Sequence, residues 1–240
     1  MLRYVLLAIV LSVPANAAQA QGEAAVPDSP WSGALSVGFL STSGNSDASS
    51  YNATFGIGYV TGNWKHSLDA AMNGADEGQQ TTAESYQAGW KSEYNFTEQD
   101  FIFGTADWRK DRFSGVEQQL TQAVGYGRRL IETEKHLLNI GLGAGHRSAD
   151  LADGSSENGF IGRGNLEYNW KLSETSGFDQ NFVVETGSDN TYFESVSAVR
   201  ARLLGDFALV LSYTIRHNSN VPAGSEKTDR LSAISVEYAF

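Results

Sequence analysis

Two histidine and serine pairs have the residue types and spacing that hydrolytic chemistry would need. In each pair the histidine precedes the serine by two positions, and an imidazole beside a hydroxyl can act as the base for a nucleophile. Glu157 and Glu226 follow the pairs and could orient the imidazoles. An outer-membrane phospholipase or a lipid A deacylase would use such a pair near lipid. Serine is abundant in this chain, however, so the spacing is compatible with chance and we expect no enzyme. The four residues are His146, Ser148, His217 and Ser219.

The sequence offers few residues that indicate binding of a metal, a cofactor or nucleic acid. Asp47, in the segment SGNSD, could offer oxygen to Ca²⁺, but no second acidic residue follows at ligand spacing. We therefore expect neither a metal nor a cofactor. A formal net charge of −11 argues against nucleic acid as a partner, since phosphates attract basic surfaces.

The chemistry-bearing residues lie within short segments whose apolar residues recur at every second position. Tyr51, Phe55, Ile57 and Tyr59, for example, alternate with polar residues and glycine. This period of two is typical of β-strands with one apolar face. Twelve such segments follow one another, although both faces of the segments 101–109 and 192–203 carry apolar residues. The pattern predicts an all-β fold, a twelve-stranded antiparallel transmembrane β-barrel of the bacterial outer membrane.

The connections between the segments alternate between tight turns and longer polar loops, except for the link near 187–190, and both chain ends are on the tight-turn side. Aromatic residues collect beside the tight turns, where they would form a girdle at the level of the lipid headgroups. A secreted β-sandwich or a lipocalin-like barrel would also alternate, and stays open as a soluble alternative. The girdle residues are Tyr59, Trp64, Tyr94, Trp170, Phe207, Tyr238 and Phe240.

Charges of both signs occupy the inward positions of the predicted strands. Unpaired charges in a narrow lumen would be costly, so we expect a network of ion pairs between strands. Such a lumen would suit a narrow channel or an envelope-stabilising element better than a strongly selective pore. Asp107 and Arg109 would join if the fifth segment faces them inward. The predicted network is Lys65, Asp69, Lys91, Glu93, Arg129, Arg147, Arg163, Glu167, Glu185, Arg216 and Glu237.

Glycines also recur on the inward side, for example at Gly125, Gly127 and Gly141. The wall is recessed there, which leaves room for facing bulky side chains, an inward loop or a solute.

The first twenty residues predict a secretory signal peptide. Arg3 precedes an apolar core, and small residues allow cleavage after Ala17 or Ala20. Residues 21–30 form a polar leader, and residues 31–240 the single barrel domain. The predicted location is the bacterial outer membrane, with membrane lipid as a partner; nothing indicates an oligomeric state.

Several short motifs resemble a known family. They are TSGNSD at 42–47, DRFSG at 111–115, GYG at 125–127, GAGHR at 143–147 and the VEYAF end. In this order the chain resembles the YdiY-like salt-induced outer-membrane proteins, a family of undetermined function. The resemblance implies an outer-membrane location and a link to salt or osmotic stress, and supplies no catalytic residues.

The last strand, LSAISVEYAF, alternates up to the terminal Phe240. Such an end resembles the signal by which bacterial outer-membrane proteins are recognised by their insertion machinery. We expect that machinery to be a partner. The same phenylalanine would complete the aromatic girdle.

Overall fold

The structure is a computed structural model that describes residues 29–42, 48–78, 80–112 and 115–240. The predicted signal peptide, the leader up to residue 28 and the segment 43–47 with Asp47 lie outside the described residues. Twelve strands account for most of the described chain. They are β1 (Trp31–Thr42), β2 (Ala48–Thr61), β3 (Trp64–Glu77), β4 (Gln80–Asn95), β5 (Asp100–Asp111), β6 (Val116–Glu132), β7 (His136–Leu151), β8 (Ser156–Lys171), β9 (Ser176–Thr186), β10 (Thr191–Leu204), β11 (Phe207–Asn218) and β12 (Thr228–Ala239).

Each strand pairs antiparallel with its sequence neighbours, and β12 returns to β1, which closes the barrel. The predicted twelve-stranded antiparallel barrel is confirmed. The closing seam runs from Ala34 beside Ala239 to Val37 beside Val236. Below it, Gly33 and Phe240 exchange two backbone hydrogen bonds of 2.8 and 2.9 Å. The terminal phenylalanine is therefore part of the closure.

The barrel is polar inside and apolar outside. Along β2, Asn52 and Thr54 are buried inside, while Phe55 and Ile57 lie on the outer surface. Leu142, on the outer face of β7, is 72% exposed. A soluble barrel would bury such residues, so the soluble sandwich or lipocalin-like alternative is wrong. Within the described residues no helix is long and apolar enough to cross a membrane.

The structure shows which alternate residues of the two ambiguous strands point into the lumen. In β5, Phe101 and Phe103 point inward with Asp107 and are almost fully buried. In β10, the buried residues Tyr192 and Val196 show that the even positions point inward. The inward face of these two strands could not be predicted from the sequence, because it includes apolar side chains.

The expected contrast between short and long connections is wrong in part. The polar segments expected as long loops after β3 and β7 leave connections of only residues 78–79 and 152–155, whereas the link at 187–190 is short as expected. The strands continue through polar residues such as Ser148 and Asp150, which extend the hydrogen-bonded ladder past the apolar outer band. The longest described connection, residues 219–227, lies between β11 and β12.

Candidate functional site

The centre of the lumen is organised by Arg163 on β8. Its Nη1 donates to Asp107 Oδ2 on β5 and to Glu185 Oε1 on β9, each at 2.7 Å. Glu185 Oε2 also accepts a hydrogen bond of 3.3 Å from Thr121 on β6. One guanidinium thus joins side chains from two other strands. Because β5 and β8 are separated by two strands in the ring, the link crosses open lumen space.

A second link lies nearer the tight turns. Lys91 on β4 forms ion pairs with Glu93, at 2.6 Å, and with Glu167 on β8. Asn139 on β7 reaches the same Glu167 carboxylate at 3.5 Å. β4 and β8 are four positions apart in the twelve-strand ring, so this ammonium also spans the lumen.

A third link lies nearer the opposite mouth. Arg109 Nη1 on β5 donates to Tyr192 Oη on β10 at 2.6 Å. Tyr192 in turn donates to Glu194 at 3.1 Å, and Arg216 donates to that carboxylate at 2.5 Å. β5 and β10 lie on nearly opposite walls. We call the contacts Lys91 to Glu167, Arg163 to Asp107 and Arg109 to Tyr192 the lumen bridges.

The bridges surround a cavity of about 180 Å³. Its lining includes members of all three bridges, together with Asp69, Thr105 and Asn165. We call this cavity the lumen chamber.

The inward glycines make room for aromatic side chains. A Cβ atom at Gly127 would lie 2.2 Å from the Phe101 ring, and one at Gly125 would lie 2.4 Å from the Phe103 ring. Gly141 borders the same Phe103 ring. Of the three uses considered for the glycines, packing of facing bulky residues is the one observed here.

All residues predicted for the charge network lie on inward positions. Lys65 and Asp69 have no ion pair within 4 Å in the described part of the chain, and Arg129 pairs with Glu132 near a tight turn at 3.3 Å. The remaining pairs are Arg147 with Glu157 at 3.8 Å, and Glu237 with Arg200 at 2.6 Å.

Sequence reasoning missed Glu194 and Arg200 because both lie in the ambiguous strand β10. Arg200 joins Asp179 on β9 to Glu237 on β12, with distances of 2.6 Å to each. The signal that could have found them is spacing, since Tyr192, Glu194 and Arg200 share one parity.

The residues of the predicted girdle lie at the tight-turn end of the outer surface. Ring centroids of Trp64 and Tyr94 are 4.9 Å apart, and those of Phe207 and Tyr238 are 5.1 Å apart. Phe240 extends this series, 6.3 Å from Tyr238. Tyr59 lies 4.4 Å from Trp31, and Trp170 lies 5.7 Å from His136.

A second aromatic belt, not foreseen from the sequence, circles the outer surface nearer the opposite mouth. Tyr51 and Tyr59, eight residues apart on β2, mark the two levels. At about 3.3 Å per residue and a tilt of about 40°, they are about 20 Å apart along the barrel axis, close to the apolar band of about 25 Å in membrane barrels. The second belt comprises Phe39, Tyr51, Tyr86, Trp108, Phe160 and Phe193.

The two histidine and serine pairs have different surroundings. His217 Nδ1 lies 2.8 Å from Thr228 Oγ1, while the Ser219 hydroxyl donates to Asn190 Oδ1 at 3.1 Å. His146 and Ser148 both lie exposed on the outer face of β7. Glu157, considered as an orienting group for His146, instead lies on the lumen side.

A metal ion held by side chains would need several His, Asp or Glu residues close together. In the part of the chain that the structure describes, no group of three such side chains could hold a metal ion.

The sequence comparison decides the family. Residues 35–240 match the model described as "Protein of unknown function, DUF481". The chain belongs to this family. It is 30% identical to "Uncharacterized protein YdiY" of Escherichia coli (strain K12) over 212 residues, which cover 88% of this chain and 84% of that protein. The resemblance expected from the motifs is therefore confirmed.

Solved structures share the fold at low identity. The COG4313 outer membrane channel from Pseudomonas putida F1 is 9% identical and superposes with a TM-score of 0.55, covering 90% of this chain and 97% of that one. The NanC porin is 10% identical, with a TM-score of 0.49 and coverages of 87% and 97%. At such identities the first likeness shows a fold that outer-membrane channels use.

Proposed function

We propose that this DUF481 protein resides in the bacterial outer membrane and forms a narrow channel for water and small ions. The observation that carries the proposal is the set of three lumen bridges inside a closed barrel with an apolar outer wall. The two aromatic belts support the location, because aromatic rings favour the levels of the lipid headgroups.

The lumen bridges set the size limit. Arg163 and Arg109 extend from the wall and meet partners on distant strands, at 2.7 and 2.6 Å. A bulky solute cannot pass without breaking these contacts, whereas water and single ions fit between the charged side chains. A lumen with both signs of charge also suits slow passage of small ions better than fast flow of a large anion.

Conductance of the refolded barrel in a planar bilayer tests the proposal. We expect small, discrete current steps for the wild-type protein. Arg109→Ala should increase the step several-fold, because it removes the side chain that reaches Tyr192 across the lumen. Arg112→Ala is the matched control, since Arg112 pairs with Glu84 outside the lumen at 2.6 Å, and it should leave the step unchanged.

Two results would contradict the proposal. Silence in the wild type and also in the doubly widened variant Arg109→Ala, Arg163→Ala would indicate a sealed structural element. A wild-type step as large as that of an open porin would mean that the bridges do not restrict the lumen.

The proposal includes the absence of hydrolytic activity. Support comes from His217, whose Nδ1 faces Thr228, and from Ser219, whose hydroxyl donates to Asn190. Incubation of the refolded barrel with phospholipid or lipid A should release no acyl chains. Release that disappears in Ser148→Ala or Ser219→Ala would restore the enzyme hypothesis.

We also propose that the C-terminal strand is read by the outer-membrane insertion machinery. The strand ends on an exposed aromatic residue, and Phe240 pairs with Gly33 at the closing seam. Phe240→Tyr should insert normally in cells, while Phe240→Ser should leave more protein unfolded in the periplasm. Normal folding of Phe240→Ser into detergent micelles would separate a recognition defect from a stability defect.

The link to salt or osmotic stress stays a prediction from the family resemblance. Growth of a deletion strain in high NaCl and in equally osmotic sucrose tests it. A narrow ion path should matter in NaCl more than in sucrose, and equal growth with and without the gene in both media would contradict the link.

A further inference from the structure

A glycine separates two carboxylates on the lumen wall. Asp69 on β3 pairs in register with Gly89 on β4, and Gly89 pairs with Asp107 on β5. A Cβ atom at Gly89 would lie 3.3 Å from Asp107 Oδ1. The missing side chain therefore leaves a recess between the two acidic residues, and this recess opens into the lumen chamber.

The lumen chamber has excess negative charge. Its charged lining consists of five carboxylates and three cations, a difference of two. Adding the immediate ion-pair partners outside the lining, Glu93 for Lys91 and Arg216 for Glu194, gives six and four and leaves the excess unchanged. A low-polarity barrel wall strengthens the resulting field.

Asp69 is the carboxylate without a counterion. Its Oδ1 is buried and accepts no hydrogen bond from the described residues, and none of their Lys or Arg side chains forms an ion pair with it within 4 Å. Lys91, the nearest cation along the neighbouring strand, is engaged by Glu93 and Glu167. A charge buried in this way is costly unless something compensates it.

Two further oxygens of the chamber lining share this condition. Thr105 Oγ1 and Asn165 Oδ1 are buried without a hydrogen-bond partner among the described residues. Thr105 as a whole is only 8% exposed. The donor Arg163 Nε is also buried without a hydrogen-bond partner among the described residues. Carboxylate, hydroxyl and amide oxygens are the ligands that hard cations prefer.

We propose that the lumen chamber binds a monovalent alkali-metal cation at Asp69. Asp69 and Asp107 supply the charge, the recess at Gly89 supplies the space, and water completes the coordination shell. The site makes the lumen favour cations over anions, and this consequence rests on the proposed channel function, whereas the binding itself does not.

Thermal unfolding of the detergent-solubilised barrel tests the binding without any conductance. The melting temperature is compared in NaCl, KCl and N-methylglucamine chloride at equal ionic strength and pH 9, where protons compete least for carboxylates. The wild type should melt about 2–4 °C higher with an alkali cation than with the bulky organic cation. Asp69→Asn should lose this difference.

The control is Asp153→Asn, in the connection between β7 and β8, which should keep the wild-type difference. Asp69→Asn should fold, because it removes an uncompensated charge and keeps the side-chain shape. A wild-type melting temperature that does not distinguish the cations, or a difference that Asp69→Asn retains, would overturn the site.

The reversal potential in a KCl gradient tests the consequence for transport. Wild type should favour K⁺ over Cl⁻, and Asp69→Asn should reduce the permeability ratio several-fold. A silent barrel with an intact thermal shift would refute the channel and keep the site. A conducting barrel with equal selectivity in both proteins would refute the role of the site in cation selectivity.

Discussion

The outer and inner surfaces of the barrel come from alternate residues of the same strands, yet different interactions stabilise them. Outside, Leu142 and Phe160 are 72% and 85% exposed and gain from contact with hydrocarbon as a solvent. Inside, Arg216 and Glu185 are 4% and 2% exposed and depend on individual partners. The outer face therefore depends mainly on apolar character, while the inner face needs specific pairs.

The largest expected effect is on the inner face. Arg163→Ala leaves the buried Glu185 carboxylate, whose side chain is 3% exposed, without its cation. We expect the free energy of unfolding to fall by about 3–5 kcal/mol, measured by urea unfolding in micelles. Arg112→Ala, which breaks an exposed pair, should cost at most about 1 kcal/mol.

The rescue variant separates charge from packing. Arg163→Met combined with Asp107→Asn and Glu185→Gln removes all three charges and should recover most of the lost stability. A loss that persists in the triple variant would show that shape, and not pairing, governs the inner face.

The next largest effect is on the outer face. Leu142→Arg places a charge near the middle of the apolar band and should lower the free energy of unfolding in lipid by about 2–4 kcal/mol. Leu130→Arg, close to a tight turn, should cost only about 0–1 kcal/mol. Equal costs at the two positions would mean that the band does not face hydrocarbon.

A smaller effect concerns packing within the lumen. Gly127→Ala puts a Cβ atom against the Phe101 ring, at 2.2 Å before any adjustment. Overpacking of this kind should cost about 1–3 kcal/mol in urea unfolding. Gly104→Ala, where no atom lies within 4 Å, should be nearly neutral, and Phe101→Leu should relieve the Gly127→Ala defect. No rescue would contradict the packing explanation.

The smallest effect concerns the girdle. Trp64→Ala removes a ring pair with Tyr94 and should cost about 0.5–1.5 kcal/mol beyond the lost apolar area. Trp64→Phe keeps an aromatic ring and should recover part of the stability lost in Trp64→Ala. If both variants unfold at the same urea concentration as the wild type, the ring pair adds nothing to the stability of the outer surface.

The amino-acid sequence determined the number of strands and, for ten of them, which alternate residues face the lumen. Along residues 51–59 of β2 the alternation is strict, because Tyr51, Phe55, Ile57 and Tyr59 face outward while Asn52, Thr54 and two glycines face the lumen. It also determined the inward position of Arg163 and Glu185, since parity fixes the face of every residue in a strand once one is known.

Only the tertiary structure decided the remaining two strands and the partners in the lumen. Parity fails in β5, because Phe101 and Phe103 occupy an apolar part of the lumen opened by glycines on β6 and β7. Lys91 and Glu167 are 76 residues apart in the chain, and barrel closure alone brings them together. Alternation reports which face a side chain takes, and carries no information about which distant side chain it will meet across the lumen.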